Sequence, residues 1–177
     1  MRKVCSIFAI FFFIFLVNTS SCKSNGKYHP KPVENNKESD NSVSNFLPRP
    51  QLNLKTTTVE IPLSSKKKII LKAQIAETEA QQAKGLMFRK YLPESEGMLF
   101  VYNKPSLLGF YMANCYIYLD MIFMDSDKKI IGFLKNQKPM DSTVRDIGKP
   151  SQYVLEVNGG FVDRHHIKTG IRLHWED

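Results

Sequence analysis

The chain has 177 residues, with 25 Lys and Arg against 17 Asp and Glu, a formal net charge of +8 and 42% hydrophobic residues. This length fits one domain with extensions, and the composition excludes a fully disordered or collagen-like chain. Three cysteines exclude a disulfide-dense scaffold.

Arg2 and Lys3 form a short basic start, followed by the apolar run Val4–Val17 and the polar stretch Asn18-Thr19-Ser20-Ser21-Cys22. A run of fourteen apolar residues is too short for a membrane-spanning helix, which needs about 20, and matches a secretory signal core. Small residues ahead of a cysteine resemble a bacterial lipoprotein signal. Residues 1–21 are therefore expected to leave as a signal peptide, with Cys22 acylated. Thr19 stands where such signals usually carry a large aliphatic residue, so secretion after cleavage behind Ser21 is the alternative.

Cysteine arithmetic favours the lipid. Cys5 leaves with the leader and acylation consumes Cys22, so only Cys115 remains and no internal disulfide forms. Each buried acyl methylene contributes roughly 0.8 kcal/mol, enough for a stable anchor when two or more chains are attached. Residues 23–56 carry Pro30, Pro32, Pro48 and Pro50 among many Asn, Ser and Lys. Such a segment buries too little apolar area to offset the entropy of ordering, and is expected to be a tether.

Residues 57–177 are expected to form the folded domain. Thr57–Leu63 is β-rich, and Ile69–Ala76 alternates with Ile69, Leu71, Ala73 and Ile75 on one face. Lys66-Lys67-Lys68 falls at the hairpin turn between them. Thr78 precedes Gln81 at capping-box spacing, predicting a short helix over Glu79–Leu86. Strand-like runs follow at Met98–Tyr102, Leu108–Tyr116, Ile117–Met124, Lys129–Lys135, Tyr153–Val157 and Ile171–Trp175. About eight short strands with one or two short helices predict a mainly β domain, a jelly-roll-like sandwich or half-open barrel.

Several blocks are distinctive in combination and order: Lys84-Gly85-Leu86-Met87-Phe88-Arg89, Glu96-Gly97-Met98-Leu99-Phe100, Tyr111-Met112-Ala113-Asn114-Cys115, Leu119–Asp125 and Val154–Gly160. Together they resemble the bacterial and archaeal DUF192 (UPF0127) family over roughly residues 57–175. The resemblance implies a compact β-rich, jelly-roll-like fold, often exported, and a shape rather than a reaction. The family usually reads Trp-Met-Lys-Asn-Thr where this chain has Tyr111, Ala113 and Cys115. A glycine is usual in place of His166, and an aspartate in place of Ile171. Chemistry that needs that threonine hydroxyl or that aspartate does not carry over.

Within the matching residues, Asp120 sits in an apolar strand and needs a partner, because a buried unpaired carboxylate is costly. Arg89 is the natural one, since guanidinium grips a carboxylate with two hydrogen bonds. Alternation places Glu156 on one face with Val154, opposite Leu155 and Val157. Arg89, Asn114, Asp120 and Glu156 could border one pocket, either as a polar network that fixes the fold or as a site for a small polar ligand. Asp120 and Glu156 acting as an acid–base pair would instead make a hydrolase of envelope sugar or peptide.

Other residues carry less. Cys115 has no adjacent histidine to activate it and fits a core position. His29, His165, His166 and His174 match no zinc spacing, and no cofactor or resident metal is expected. Met87, Met98, Met112, Met121, Met124 and Met140 would suit copper if exposed, although most lie in apolar strands. Gly159-Gly160 is a turn, because no Lys-Ser/Thr follows it. Loss of Arg2 and Lys3 with the leader lowers the charge to +6, and the remaining bases form no stripe interleaved with aromatics. Nucleic acid is not an expected partner. The expectation is an exported, lipid-anchored envelope protein that binds a small ligand or another envelope component without catalysis. Hydrolysis and copper binding are the alternatives.

Overall fold

The computed structural model describes residues 49–176. The expected signal peptide, the acylated Cys22 and residues 23–48 of the expected tether lie outside them.

Period-two alternation builds most of the described chain. β1 (Thr56–Ser64) and β2 (Lys67–Ala76) form an antiparallel hairpin around the basic turn, where Lys68 Nζ pairs with Glu60 at 2.9 Å. α1 (Glu79–Lys84) crosses over to β3 (Glu96–Ser106), which runs parallel to β2. The capping box at its start is complete. Gln81 N–H donates to the Thr78 hydroxyl, and the Gln81 side chain accepts from Thr78 N–H. β4 (Leu119–Met124), β5 (Ile130–Gln137) and β6 (Ser151–Asn158) complete a six-stranded sheet of order β1-β2-β3-β6-β4-β5. A one-turn helix, α2 (Phe161–Arg164), follows the Gly159-Gly160 turn.

β6 is the centre of the sheet. Its residues from Tyr153 to Glu156 are paired on both sides, so Glu156 lies in one row between Met98 of β3 and Met121 of β4. The two faces carry separate cores. Val59, Ile61, Leu71, Ala73, Leu99, Ile122, Leu155 and Val157 fill the first with Phe161, Val162, Ile167 and Leu173. Met98, Phe100, Met121, Phe123 and Val154 face the second, under Leu86, Leu92, Leu108, Phe110, Met112 and Cys115. The first core is nearly enclosed, because the segment after α2 bonds to both edge strands. His174 and Glu60 of β1 exchange backbone hydrogen bonds at 2.8 and 3.0 Å, and Ile130 N–H donates to Ile171 at 2.8 Å. The result is a half-open β sandwich with short helices, as the sequence predicts.

Two expectations change. Leu108–Tyr116 is a loop that joins no strand of the sheet and is bridged at Phe110 to Arg145 in the loop before β6, and Ile171–Trp175 pairs only at isolated bridges. Six strands therefore replace eight among the described residues. The apolar content of Leu108–Tyr116 serves as a lid over the second core. Phe110 stands edge-on to Phe100 and Phe123, with centroids at 5.2 and 5.6 Å, and this packing anchors the loop. The chain before β1 also docks. Gln51 donates to the carbonyls of Gln81 and Gly85, Gln74 donates to Leu52, and Ile75 N–H donates to Lys55.

Candidate functional site

Strand alternation separates the two carboxylates expected to act together. Asp120 pairs with Val157, and Glu156 pairs with the next residue, Met121, so the two side chains point to opposite faces of one sheet. An acid–base pair across a shared substrate is therefore excluded, and with it the hydrolase built on these two residues.

Asp120 is fully buried and its partner is backbone. Its carboxylate accepts from Asn136 N–H at 2.7 Å, Gly160 N–H at 3.0 Å and Val162 N–H at 2.8 Å. Three donors satisfy the charge without a cation. Asp120 thus ties β4 to the end of β5 and to α2. The expected Arg89–Asp120 pair does not form.

Arg89 is 8% exposed on the second face. It donates to the Gln51 carbonyl at 2.7 Å and, through a very short contact, to Gln74 Oε1. Its Nε is buried without a partner. Burial pushes the guanidinium down from its ordinary value, opposed by Glu96 and Glu156. Arg89 and Glu156 feel one another's charge, yet among the described residues they make no ion pair. Asn114 sits apart. It is exposed, holds φ at 60°, and offers its amide only to Met87 Sδ at 3.8 Å. Of the four expected residues, the structure brings together only Arg89 and Glu156.

Glu156 is 4% exposed, and among the described residues no hydrogen-bond donor reaches its carboxylate. It borders a cleft of about 250 Å³ between the end of α1, β3 and the Leu108–Tyr116 loop. Met87 and Gly85 line it from the α1 side, Phe100 and Tyr102 from β3, and Phe110, Tyr111 and Cys115 from the loop. Burial pushes the Glu156 carboxyl up to about 8, and Arg89 pulls weakly the other way. Burial, reinforced by the Glu156 charge, likewise pushes Tyr102 and Cys115 up to about 12. Cys115 is a buried thiol, not an activated nucleophile.

Strand period gives Tyr102 away, since Met98, Phe100 and Tyr102 alternate onto the Glu156 face. Phe110 and Tyr111 carry no such signal, because a loop has no period. The methionines divide as packing predicts. Met98, Met112, Met121 and Met124 are buried, and Met140, at 58%, is the one exposed methionine among the described residues. Among the described residues no cluster of exposed thioethers supports the copper alternative. Among the described residues there is also no group of three or more His, Cys, Asp or Glu placed to hold a metal ion.

The family model DUF192, described as uncharacterized ACR, COG1430, matches residues 61–175. The chain belongs to this family. Two crystal structures resemble the domain. One is of a "putative transcription regulator" from Sinorhizobium meliloti 1021, 30% identical, with a TM-score of 0.68, covering 71% of this chain and 97% of that one. The other is of a protein of unknown function from Novosphingobium aromaticivorans DSM 12444, 35% identical, with a TM-score of 0.66, covering 72% and 94%. No curated protein matches the chain. Family membership supports the fold and assigns no reaction.

Proposed function

We propose that this DUF192 protein is an exported, lipid-anchored envelope protein whose domain binds a small polar ligand in the cleft floored by Glu156. The observation that carries the ligand reading is the state of that carboxyl: almost wholly buried, bordering a cleft, and given no hydrogen-bond donor by the described residues. Buried polar groups ordinarily have partners, and one left open toward a cavity fits a partner that arrives with a ligand. Binding is favoured over catalysis because the second carboxylate faces the other side of the sheet and the one nearby thiol is held protonated. The lipid anchor rests on the leader and Cys22.

Two measurements test this. A thermal-shift screen of small polar fragments against the wild-type chain should yield stabilising compounds that lose their effect on Tyr102→Ala. A screen without a hit sinks the ligand reading. Mass spectrometry of the chain from its native host should show Cys22 as the first residue, carrying acyl groups. Recovery of a chain with an unmodified Cys22 sinks the anchor.

A further inference from the structure

The groups around Glu156 restrict what could meet it. Phe100, Tyr102, Phe110 and Tyr111 give the cleft aromatic walls, beside the apolar Leu86 and Met87. Of the two cations nearby, Arg89 is bonded to Gln51 and Gln74, and Lys84, which lines the cleft at the end of α1, has its ammonium over the Phe88 ring, 5.8 Å from the centroid. Tyr102 on β3 and Cys115 on the loop are uncharged at neutral pH. Glu96 acts on Arg89 from the start of β3, and β4 presents the apolar Met121. A carboxylate only accepts hydrogen bonds, and rings attract cations through their faces.

Resting on the ligand role proposed above, we infer that the ligand of the Glu156 cleft is a small organic cation, a protonated amine whose N–H groups meet the carboxylate and whose carbon body lies among the rings. A space of about 250 Å³ is roughly that of eight waters, enough for a short alkyl or aryl amine and too little for a peptide.

The proton balance follows from the burial. In the free protein Glu156 keeps its proton up to about pH 8, because desolvation outweighs the pull of Arg89. A docking ammonium supplies the missing countercharge. The carboxyl then ionises, its proton goes to solvent, and the ligand keeps all of its own. No covalent bond forms or breaks. Affinity for the cation accordingly rises about tenfold per pH unit below pH 8. A neutral ligand that accepts a hydrogen bond from the protonated acid behaves oppositely and weakens above pH 8.

Calorimetry on the full chain in detergent, with n-butylammonium chloride and n-butanol as probes at pH 6, 7 and 8, tests this. The amine should bind at least tenfold more tightly than the alcohol at pH 7. Its affinity should rise about tenfold from pH 6 to 7, and buffers of different ionisation heat should report close to one proton released. Glu156→Gln should abolish the amine preference and the pH dependence while the alcohol still binds. Equal or tighter binding of the alcohol, or amine affinity that falls as pH rises, overturns the cation and leaves the cleft as a site for neutral ligands. Binding of neither probe overturns the cation too, and the fragment screen then decides whether the ligand reading survives.

Discussion

Gly97 and the Glu156 carbonyl oxygen approach so closely that a Cβ at position 97 would stand 2.7 Å from that oxygen. It would also press on Leu155 and Val157 at 3.3 Å, so β3 can lie against β6 here only without a side chain. Gly97→Ala is expected to push the strands apart at the row that carries Glu156. The cost should be about 1–3 kcal/mol, the usual range for overpacking. Urea unfolding measures it, and a change below about 0.5 kcal/mol would mean that the sheet adjusts there freely.

The Glu156 carboxyl has a pH signature in stability. Its folded pKa of about 8 lies above the ordinary value of 4.5, so the folded state holds this proton more tightly than the unfolded state does. The resulting stabilisation is complete below about pH 4.5 and is lost as pH rises toward 8, at up to about 1.4 kcal/mol per unit. Glu156→Gln cannot ionise and is expected to flatten that slope, leaving the variant more stable than wild type at pH 8. Denaturant titrations at pH 5, 6.5 and 8 check this. Parallel pH profiles for the two proteins would show that Glu156 is not the group responsible.

Asp120→Ala leaves three buried backbone donors without an acceptor. At about 1–3 kcal/mol for each unsatisfied group, a loss of several kcal/mol is expected. Asp120→Asn keeps one acceptor but turns an amide toward donors, so it should recover only part of the loss. Combined with Arg89→Met, the losses should add within about 0.5 kcal/mol, because the two residues share no bond. A larger coupling energy would revive a link between them.

His166 holds φ at 53°, a left-handed conformation that a side chain adopts at a cost of roughly 1–2 kcal/mol. His166→Gly removes that cost and gives back part of it as extra freedom of the unfolded chain. A net gain of about 0.5–1 kcal/mol is expected from thermal unfolding. A loss would reveal a contact made by the imidazole that outweighs the backbone strain.

The parts of this fold legible in the sequence are those with a local cause. Ile69, Leu71, Ala73 and Ile75 announce a face by spacing alone, and Thr78 with Gln81 announces a helix start through side chains three residues apart. Val154 and Glu156 share a face for the same reason. Leu108–Tyr116 misleads because an apolar cover loop has the composition of a strand, and only the packing of Phe110 between two rings distinguishes them. The partner of Asp120 was illegible in a different way. Its three donors are backbone N–H groups, which every residue except proline carries, so nothing in the side chains marks Asn136, Gly160 and Val162 as its neighbours. Arg89 was the visible cation and it turned elsewhere. The cleft depends on where α1 ends and how the loop lies, and neither has a period to read.

The six residues Gly170–Trp175 lace one rim of the sandwich to the other, with Glu60 on one side and Lys128 to Ile130 on the opposite side. Bare strand margins invite neighbouring molecules to add on and polymerise. A chain stopped at Thr169 should therefore lose more than its own stability: its uncovered rims would seed fibrils, a hazard that weakened folding alone does not bring.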